Sequence, residues 1–220
     1  MYKTLSSSRY RITGVRLFWL LLVLLVSGCT AFVKKPSSLT DSEQTQRWET
    51  LQKQLAAIHS WQLTGRLGLK VPDRSGSMSL DWTQKNDAYT LFLDGPFGQS
   101  LAEIKGDHHR VVADVAGRDE LLVGASPEQI MLEITGWSLP VSGLQFWVRG
   151  LPVPNTESKV TLNGQGLPVS IFQQGWHITY TAYRDVHGIA LPARIRVVRE
   201  NVSMTMAIRS WSLTGELRPE

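Results

Sequence analysis

Apolar and polar residues alternate with a period of two along most of this chain. The alternation is clearest in SMSLDW at residues 77–82 and in AYTLFLD at residues 88–94, and it returns in ARIRVV and SMTMAIRSWSL near the C-terminus. Such alternation is typical of strands that bury one face and expose the other to water. Gly, Asp and His stand at the joins between these short segments, so the pattern predicts an antiparallel meander.

Three segments instead carry helical signals. Thr40-Asp41-Ser42-Glu43 fits a capping box. A stripe with helical spacing follows it, at Trp48, Leu51, Leu55 and Ile58. Ser126-Pro127-Glu128-Gln129 supplies an N-cap, a proline at the first helical position and a glutamine that completes the box, and Gly136 ends this second helix. SGLQFWVRG, residues 142–150, predicts a third helix that is apolar on most sides and therefore enclosed.

These elements together predict a mainly β fold with helices. We expect a curved antiparallel sheet, an open half-barrel, whose concave apolar side is covered by the helices. Sheets of this kind can hold a ligand in the interior once they are wide enough. The pattern alone does not distinguish a filled core from a cavity.

The first 28 residues read as a secretory signal and not as part of the fold. Four basic residues and no acidic ones precede an apolar run from Leu17 to Val26. Ten helical residues reach about 15 Å, roughly half of a bilayer's hydrocarbon core. The alternative, an uncleaved anchor helix, needs a run of about twice this length.

Cys29, the only cysteine, follows this run directly and has no partner for an intrachain disulfide. The segment LVSGC resembles the lipobox of bacterial lipoproteins, which implies lipid attachment at Cys29. Thr30 is not the Asp that marks many such lipoproteins for retention in the inner membrane, so the resemblance implies sorting to the outer membrane. Residues 29–40 are then a lipid-anchored tether, and 41–220 form a single domain.

Removal of the signal would lower the net charge of the protein. The whole chain holds 23 Lys and Arg against 19 Asp and Glu, and the four basic residues of the signal are lost with it, which leaves equal numbers. A neutral mature protein lacks the electrostatic support that a nucleic-acid partner requires.

The sequence contains no recognisable catalytic or metal-binding motif. We find no Gly-x-Ser-x-Gly elbow, His-Glu-x-x-His, P-loop or dinucleotide fingerprint. The histidines, at positions 59, 108, 109, 177 and 187, show no metal-ligand spacing, and GDHHR reads as a hairpin turn. We expect no metal and no cofactor. A hydrolase on lipid substrates stays open, because triads are assembled in space and not in sequence.

Gly95-Pro96-Phe97-Gly98 is an unusual turn, because its tip carries an aromatic ring. Pro96 restricts the backbone while Gly95 and Gly98 permit a sharp bend, so we interpret Phe97 as an exposed apolar probe for a membrane interface. The alternative is that the turn folds back and the ring packs against the domain.

Several segments in this order resemble the LolB family of outer-membrane lipoprotein receptors. They are LVSGC, GRLGL, SLDWTQ, YTLFLDGPFGQS, EITGWSLPVSGLQFWVRGLP, QQGWHITYTAY, the LP of IALPARI, and IRSW. The resemblance implies an open antiparallel β-barrel with a helical lid over a hydrophobic cavity. It also implies a monomeric, non-enzymatic receptor, anchored in the outer membrane and facing the periplasm, that accepts acylated lipoproteins from the carrier LolA and releases them into the membrane lipid. Phe97 occupies the place of the family's exposed loop leucine.

The alternation indicates which residues line the acyl-chain cavity. The predicted lining consists of Leu67, Leu69, Met78, Leu80, Trp82, Leu91, Leu93, Ile130, Ile134 and Trp147. Two other functions stay open at this point, a structural outer-membrane lipoprotein with a solid β core and a lipid esterase.

Overall fold

The computed structural model describes residues 39–213. The predicted signal peptide, Cys29, nearly all of the tether and the last seven residues lie outside this range. In the described residues the helices are α1 (Asp41–Ala56), α2 (Pro127–Thr135) and α3 (Val141–Trp147). The strands are β1 (Ser60–Val71), β2 (Arg74–Lys85), β3 (Ala88–Asp94), β4 (Ser100–Gly106), β5 (Val111–Val115), β6 (Leu122–Gly124), β7 (Ser158–Leu162), β8 (Pro168–Gln173), β9 (Trp176–Val186), β10 (Ile189–Arg199) and β11 (Val202–Leu213).

All eleven strands belong to one antiparallel sheet in the order β6-β5-β4-β3-β2-β1-β11-β10-β9-β8-β7. The chain first builds one half as a meander from β1 outward to β6, then supplies α2 and α3, and returns as a second meander from β7 to β11. Strand β1 pairs with β11 and joins the two halves. The edge strands β6 and β7 do not pair with each other, so the predicted open half-barrel is confirmed and the barrel is not closed.

The helices begin where the capping signals predict. The Thr40 side chain accepts a hydrogen bond from the Glu43 N–H, and the Glu43 carboxylate accepts one from the Thr40 N–H at 2.8 Å. The Thr40 N–H and the Thr40 hydroxyl both donate to this carboxylate and lower the pKa of Glu43. Ser126 caps α2 in the same way, and Gly136 ends it in the left-handed conformation at φ 77°. The predicted second box is incomplete, because the Gln129 side chain accepts from the N–H of Ala125 and not from that of the N-cap.

The core lies between the concave face of the sheet and the three helices. The rings of Trp61 and Trp82 pack in a tilted arrangement with 5.1 Å between their centroids, and Trp211 packs edge-on against Trp61 at 5.5 Å. The predicted apolar stripe of α1 is buried as well. Alternation alone therefore predicted the buried face of most strands.

The seam between β1 and β11 contains a bulge at Gly65, where the register shifts by one residue. A Cβ atom at Gly65 would overlap the carbonyl oxygen of Ala207 on the neighbouring strand. Gly68, three residues further along β1, has room for a side chain. The nearest atom to an added Cβ would be the Thr205 carbonyl oxygen, at 3.8 Å. The close approach at Gly65 thus fixes how the two halves join.

Gly65→Ala should destabilise the protein by about 1–3 kcal/mol, because the methyl group forces the backbones of β1 and β11 apart. Gly68→Ala is the matched control and should change the free energy of unfolding by less than about 1 kcal/mol. Both substitutions reduce the conformational entropy of the unfolded chain equally, so the difference between them measures the steric overlap. Urea unfolding followed by tryptophan fluorescence measures both. Equal effects of the two substitutions would contradict the steric account of the seam.

Candidate functional site

An apolar cavity lies between the first half of the sheet, the neighbouring strand β11 and the two helices α2 and α3. Its lining consists of Leu67, Leu80, Trp82, Leu91, Leu93, Ile104, Pro127, Met131, Leu139, Val141, Leu144, Met204 and Met206. All of these side chains are apolar apart from the indole N–H of Trp82, which is turned to Gln84 at 3.2 Å. The cavity measures about 50 Å³. This is room for a few water molecules at about 15 Å³ each, and far too little for an acyl chain.

Five of the ten residues predicted to line a cavity lie around this space: Leu67, Leu80, Trp82, Leu91 and Leu93. They come from three adjacent strands and share the concave face through the pairs Leu67–Met78 and Leu80–Leu93. The structure thus brings this half of the predicted set together. Contact of these side chains with acyl chains stays a prediction.

The other five lie outside the cavity lining, each for a local reason. Leu69 and Met78 are on the concave face but nearer the β1–β2 hairpin, where they are half-buried. Ile130 belongs to α2 and is buried against Gly124 of β6, and Ile134 is half-buried near the end of the same helix. Trp147 is fully buried, but its indole N–H donates to the Gln173 side chain at 3.0 Å on the far half of the sheet.

The sequence prediction missed Ile104, Met204 and Met206 on the strands, and it missed all the lining residues from the helices and the segment that joins them: Pro127, Met131, Leu139, Val141 and Leu144. The three strand residues alternate correctly on β4 and β11, so their inward direction was available from the pattern. The pattern did not indicate that β11 pairs with β1, and this pairing places Met206 opposite Leu67. Alternation specifies a face but does not specify which strands are neighbours.

On strands β1–β5, the concave face becomes more exposed toward one end of the sheet. We call this the Phe97 end, because the β3–β4 turn lies there together with the β1–β2, β8–β9 and β10–β11 turns. Leu63, Val111 and Ala113 near the opposite end are fully buried. The side chains nearer the Phe97 end are half-buried, at Leu67, Leu69, Met78, Leu93 and Val115. On strands β1–β5 the apolar side chains of the concave face are thus less buried toward the Phe97 end, whereas Val71 and Val202 at the same end are buried.

Helix α3 is fixed from several sides. The Tyr180 hydroxyl donates to the Trp147 carbonyl at 2.9 Å. Just after the helix, the Arg149 guanidinium is 8% exposed and its Nη1 donates to the carbonyls of Leu55 and Ile58, at 3.1 and 2.8 Å. Burial lowers the pKa of Arg149 to about 10, which leaves it charged at neutral pH. Arg149 thus ties α3 to the end of α1.

Helix α2 is held by weaker, exposed contacts. Arg74 donates to the Thr135 carbonyl at 2.6 Å, and Arg118 pairs with Glu133 at 3.2 Å. The Glu128 carboxylate accepts from the Ser142 N–H at 2.7 Å, which links α2 to α3. Exposed pairs of this kind contribute little to stability, at about 0–1 kcal/mol each. Of the two helices over the cavity, α2 is therefore the one whose polar contacts are exposed, and its buried side chains Ile130 and Met131 hold it by apolar contact.

The Phe97 turn is built to project its ring. The Gly98 N–H donates to the Gly95 carbonyl at 3.0 Å, and Gly98 has φ 78°. The Gln99 side chain accepts from the Phe97 N–H at 3.1 Å and occupies the space that a side chain at Gly95 would need. Phe97 is 95% exposed. This agrees with the projecting-ring interpretation and not with a turn that folds back.

Titratable side chains cluster at the opposite end of the sheet. In the β4–β5 turn the Asp107 carboxylate accepts from the backbone N–H groups of His109 and Arg110, which lowers its pKa. His108 instead contacts Asp87 at 2.8 Å, a pair that sequence spacing did not indicate. Within residues 39–213 no three His, Cys, Asp or Glu side chains come together as a metal site.

Residues 59–211 match the model of the family described as outer membrane lipoprotein LolB. The chain belongs to this family. It is 38% identical over 192 residues to the outer-membrane lipoprotein LolB of Pseudomonas putida W619, which covers 86% of this chain and 92% of that protein. The LolB of Pseudomonas aeruginosa LESB58 is 36% identical over 187 residues, or 85% and 90% of the two chains.

A solved structure supports the fold alone. A DUF1329 family protein from Desulfovibrio piger superposes with a TM-score of 0.53 at 7% identity, over 80% of this chain and 94% of that one. Among residues 39–213, no helix has the length and apolar character needed to cross a bilayer.

Leu93 and Phe92 offer a matched test of the cavity, because they are adjacent on β3 and point to opposite faces. Leu93→Gln should weaken binding of a hydrophobic fluorophore about tenfold, since its amide is left without a partner in an apolar space. Phe92→Gln, at a position 41% exposed on the outer face, should leave binding unchanged. Fluorophore titration of each purified variant measures this. Equal binding by both variants would contradict a binding cavity on the concave face.

Proposed function

We propose that this LolB-family chain shelters the acyl chains of lipoproteins between the sheet and α2, and delivers them to the membrane at the Phe97 end. Family membership makes it an outer-membrane lipoprotein that receives lipoproteins from LolA for insertion into the outer membrane, a role without enzymatic activity. The observation that carries the proposal is the apolar cavity between the sheet and α2, on a sheet whose β3–β4 turn exposes Phe97.

The need for such shelter follows from the cost of exposing lipid to water. Three acyl chains hold about 45 methylenes, and at about 0.8 kcal/mol each their full exposure costs roughly 36 kcal/mol. Release into the periplasm is therefore negligible, and cargo must pass directly from one apolar surface to another. Transfer needs no nucleotide if each acceptor binds the acyl chains more tightly than the donor before it.

The cavity of about 50 Å³ belongs to a closed form. Acyl chains fit only if the cover moves away from the sheet, and the contacts of α2 make it the mobile part. Movement of α2 breaks the exposed bonds of Arg74, Arg118 and Glu128 and leaves the buried anchors of α3 in place. Gly136, already in a left-handed conformation, gives the chain after α2 the freedom to turn.

A larger cleft of about 740 Å³ lies between the end of α1, the β2–β3 turn and α3. Polar side chains line much of it, among them His59, Asn86, Asp87 and Gln145. Burying acyl chains there would remove these groups from water without replacing their hydrogen bonds. The smaller apolar cavity is therefore the better site despite its size.

Phe97 serves as the membrane contact. A buried Phe contributes roughly 2 kcal/mol, which is too little to anchor a protein but enough to bias a domain already tethered through Cys29. Its position at the end where the concave side chains of β1–β5 are less buried brings the bilayer next to the acyl chains. The departure from the family's leucine keeps the apolar character of the tip.

The remaining alternative is a structural lipoprotein whose interior stays closed. It differs from the proposal in one property, because a core that never opens binds neither extracted lipid nor a hydrophobic fluorophore. Mass spectrometry of lipid co-purified with the protein separates the two functions.

Phe97→Glu should leave acceptance of a lipoprotein from LolA largely intact while delivery to vesicles falls about tenfold or more, because a charged tip cannot enter the apolar layer. Acceptance and delivery are measured separately, the first with LolA–lipoprotein complex alone and the second after vesicles are added.

Phe97→Leu is the control for this experiment and should deliver normally, since it restores an apolar tip. Equal loss of acceptance and delivery in Phe97→Glu would mean that the turn has a role other than membrane contact.

A further inference from the structure

Basic and acidic residues are separated along the sheet. Strands β1 and β7–β11 contain eight basic residues and one acidic residue, Asp185. Strands β2–β6 contain three basic and four acidic residues. The sheet therefore has a strongly basic half and a mildly acidic half.

Five of these basic side chains form one surface on the outer, convex face. We call it the basic outer face, and it consists of Arg66, Lys70, Lys159, Arg194 and Arg196, all exposed. Their direction follows from the register, because Leu67, Met206 and Ile195 of the same strands point to the concave side. The pairs Arg66–Ala207 and Ala207–Arg194 place two arginines in one row across three strands.

A second row crosses six strands and adds an aromatic residue. It runs through the pairs Lys159–Phe172, Phe172–His177, His177–Val198, Val198–Ser203 and Ser203–Lys70. Five strand spacings make this row about 24 Å wide. Phe172 is 54% exposed within it. An exposed aromatic ring between lysines is a combination typical of protein surfaces that lie on membranes.

The charges of the basic outer face are not neutralised locally. Within the part of the chain that the structure describes, none of its five basic side chains forms an ion pair. Its strand neighbours on this face are small or uncharged, as at Gly68, Thr179 and Thr205. An anionic surface can therefore approach without breaking an existing salt bridge.

We propose that the basic outer face lies on anionic phospholipid headgroups of the leaflet in which the chain is anchored, and so orients the domain for delivery. This inference rests on the proposed function through its lipid anchor at Cys29. It adds a second membrane contact that is electrostatic, extended and independent of Phe97.

The point where the tether joins the domain supports a membrane as the occupant. The Leu39 N–H donates to the Gly164 carbonyl in the β7–β8 turn at 2.9 Å, so the tether starts beside the edge of the basic half. Lys159 lies on β7, within about 20 Å of that turn along the strand. The nine residues between Cys29 and Leu39 make ten steps from one Cα atom to the next, which can span up to about 35 Å. The anchor therefore keeps the basic half within reach of the leaflet.

The register also relates the basic outer face to Phe97. Ser79 pairs with both Arg66 and Asp94, so these residues are level across the sheet. Three further residues carry the chain from Asp94 to Phe97, about to the level of Lys70. A leaflet that contacts the row of Lys70 and Lys159 is therefore at the end of the sheet where Phe97 projects.

A fluorescent label on the full-length, acylated protein tests the orientation. Acylation occupies Cys29, so Thr161→Cys on the outer face of β7 supplies the only thiol for labelling. The labelled protein is reconstituted in phosphatidylcholine vesicles with or without phosphatidylglycerol, each with a nitroxide on some headgroups. We expect stronger quenching with phosphatidylglycerol, and loss of the difference in high salt, which shortens the Debye length.

Two matched controls accompany the measurement. A label at Val123→Cys, on the outer face of the opposite edge strand β6, should show no dependence on phosphatidylglycerol.

Arg194→Gln with Arg196→Gln should reduce the ratio of contacting to free domains by about fivefold for each arginine removed. Arg110→Gln, an exposed arginine in the β4–β5 turn, should not. Both arginines of the double variant point to solvent, so unchanged thermal unfolding verifies the fold.

The inference is overturned if quenching at Thr161→Cys is the same in both kinds of vesicle, or if the double variant behaves as the parent. It is also overturned if the double variant keeps its vesicle contact but loses binding of LolA, because the basic outer face would then be a protein docking surface. Cargo delivery is measured in the same vesicles. Charge-dependent quenching without delivery would contradict the proposed function and leave this inference standing.

Discussion

The structure depends on the burial of one concave apolar surface that its own sheet does not enclose. A closed barrel buries its interior by joining its edge strands, whereas here β6 and β7 stay apart and helices supply the cover. Two of the covering helices, α2 and α3, are attached to the rest of the domain by different kinds of contact. Helix α3 is tied through Arg149 and Trp147 to buried partners, and α2 rests on apolar contacts and a few exposed polar ones. The proposed opening therefore displaces α2 and leaves the attachments of α3 in place.

The direction of the opening follows from how burial changes along the strands. On strands β1–β3, Trp61 and Trp82 pack against each other at one end, and half-buried aliphatic and thioether side chains such as Leu69, Met78 and Leu93 lie toward the Phe97 end. Methionines such as Met204 and Met206 adapt easily to chains of different length because their side chains are unbranched and flexible. A rigid aromatic end and an adaptable open end suit a site that must accept lipid from one partner and release it to a membrane.

Much of this fold could be predicted from the sequence because its signals are local. Period-two alternation gave the strands and their buried faces, and the capping residues Thr40, Ser126 and Gly136 gave the helix limits. The exposure of Phe97 followed from the glycines and the proline around it. The cavity lining was predicted only in part, because it depends on the pairing of β1 with β11, which are more than 130 residues apart. The roles of Arg149 and Glu128 likewise depend on contacts between distant segments.

The central claim is that the interior opens beneath α2 to hold acyl chains. Spin labels at Leu132→Cys, on the exposed side of α2, and at Ser77→Cys, on the outer face of β2, report the separation of helix and sheet. Pulsed electron spin resonance of the acylated protein is recorded with and without a triacylated lipopeptide. The account predicts that bound lipopeptide lengthens this distance by several ångströms, as α2 moves away. An unchanged distance in a protein that has demonstrably bound the lipopeptide would contradict it.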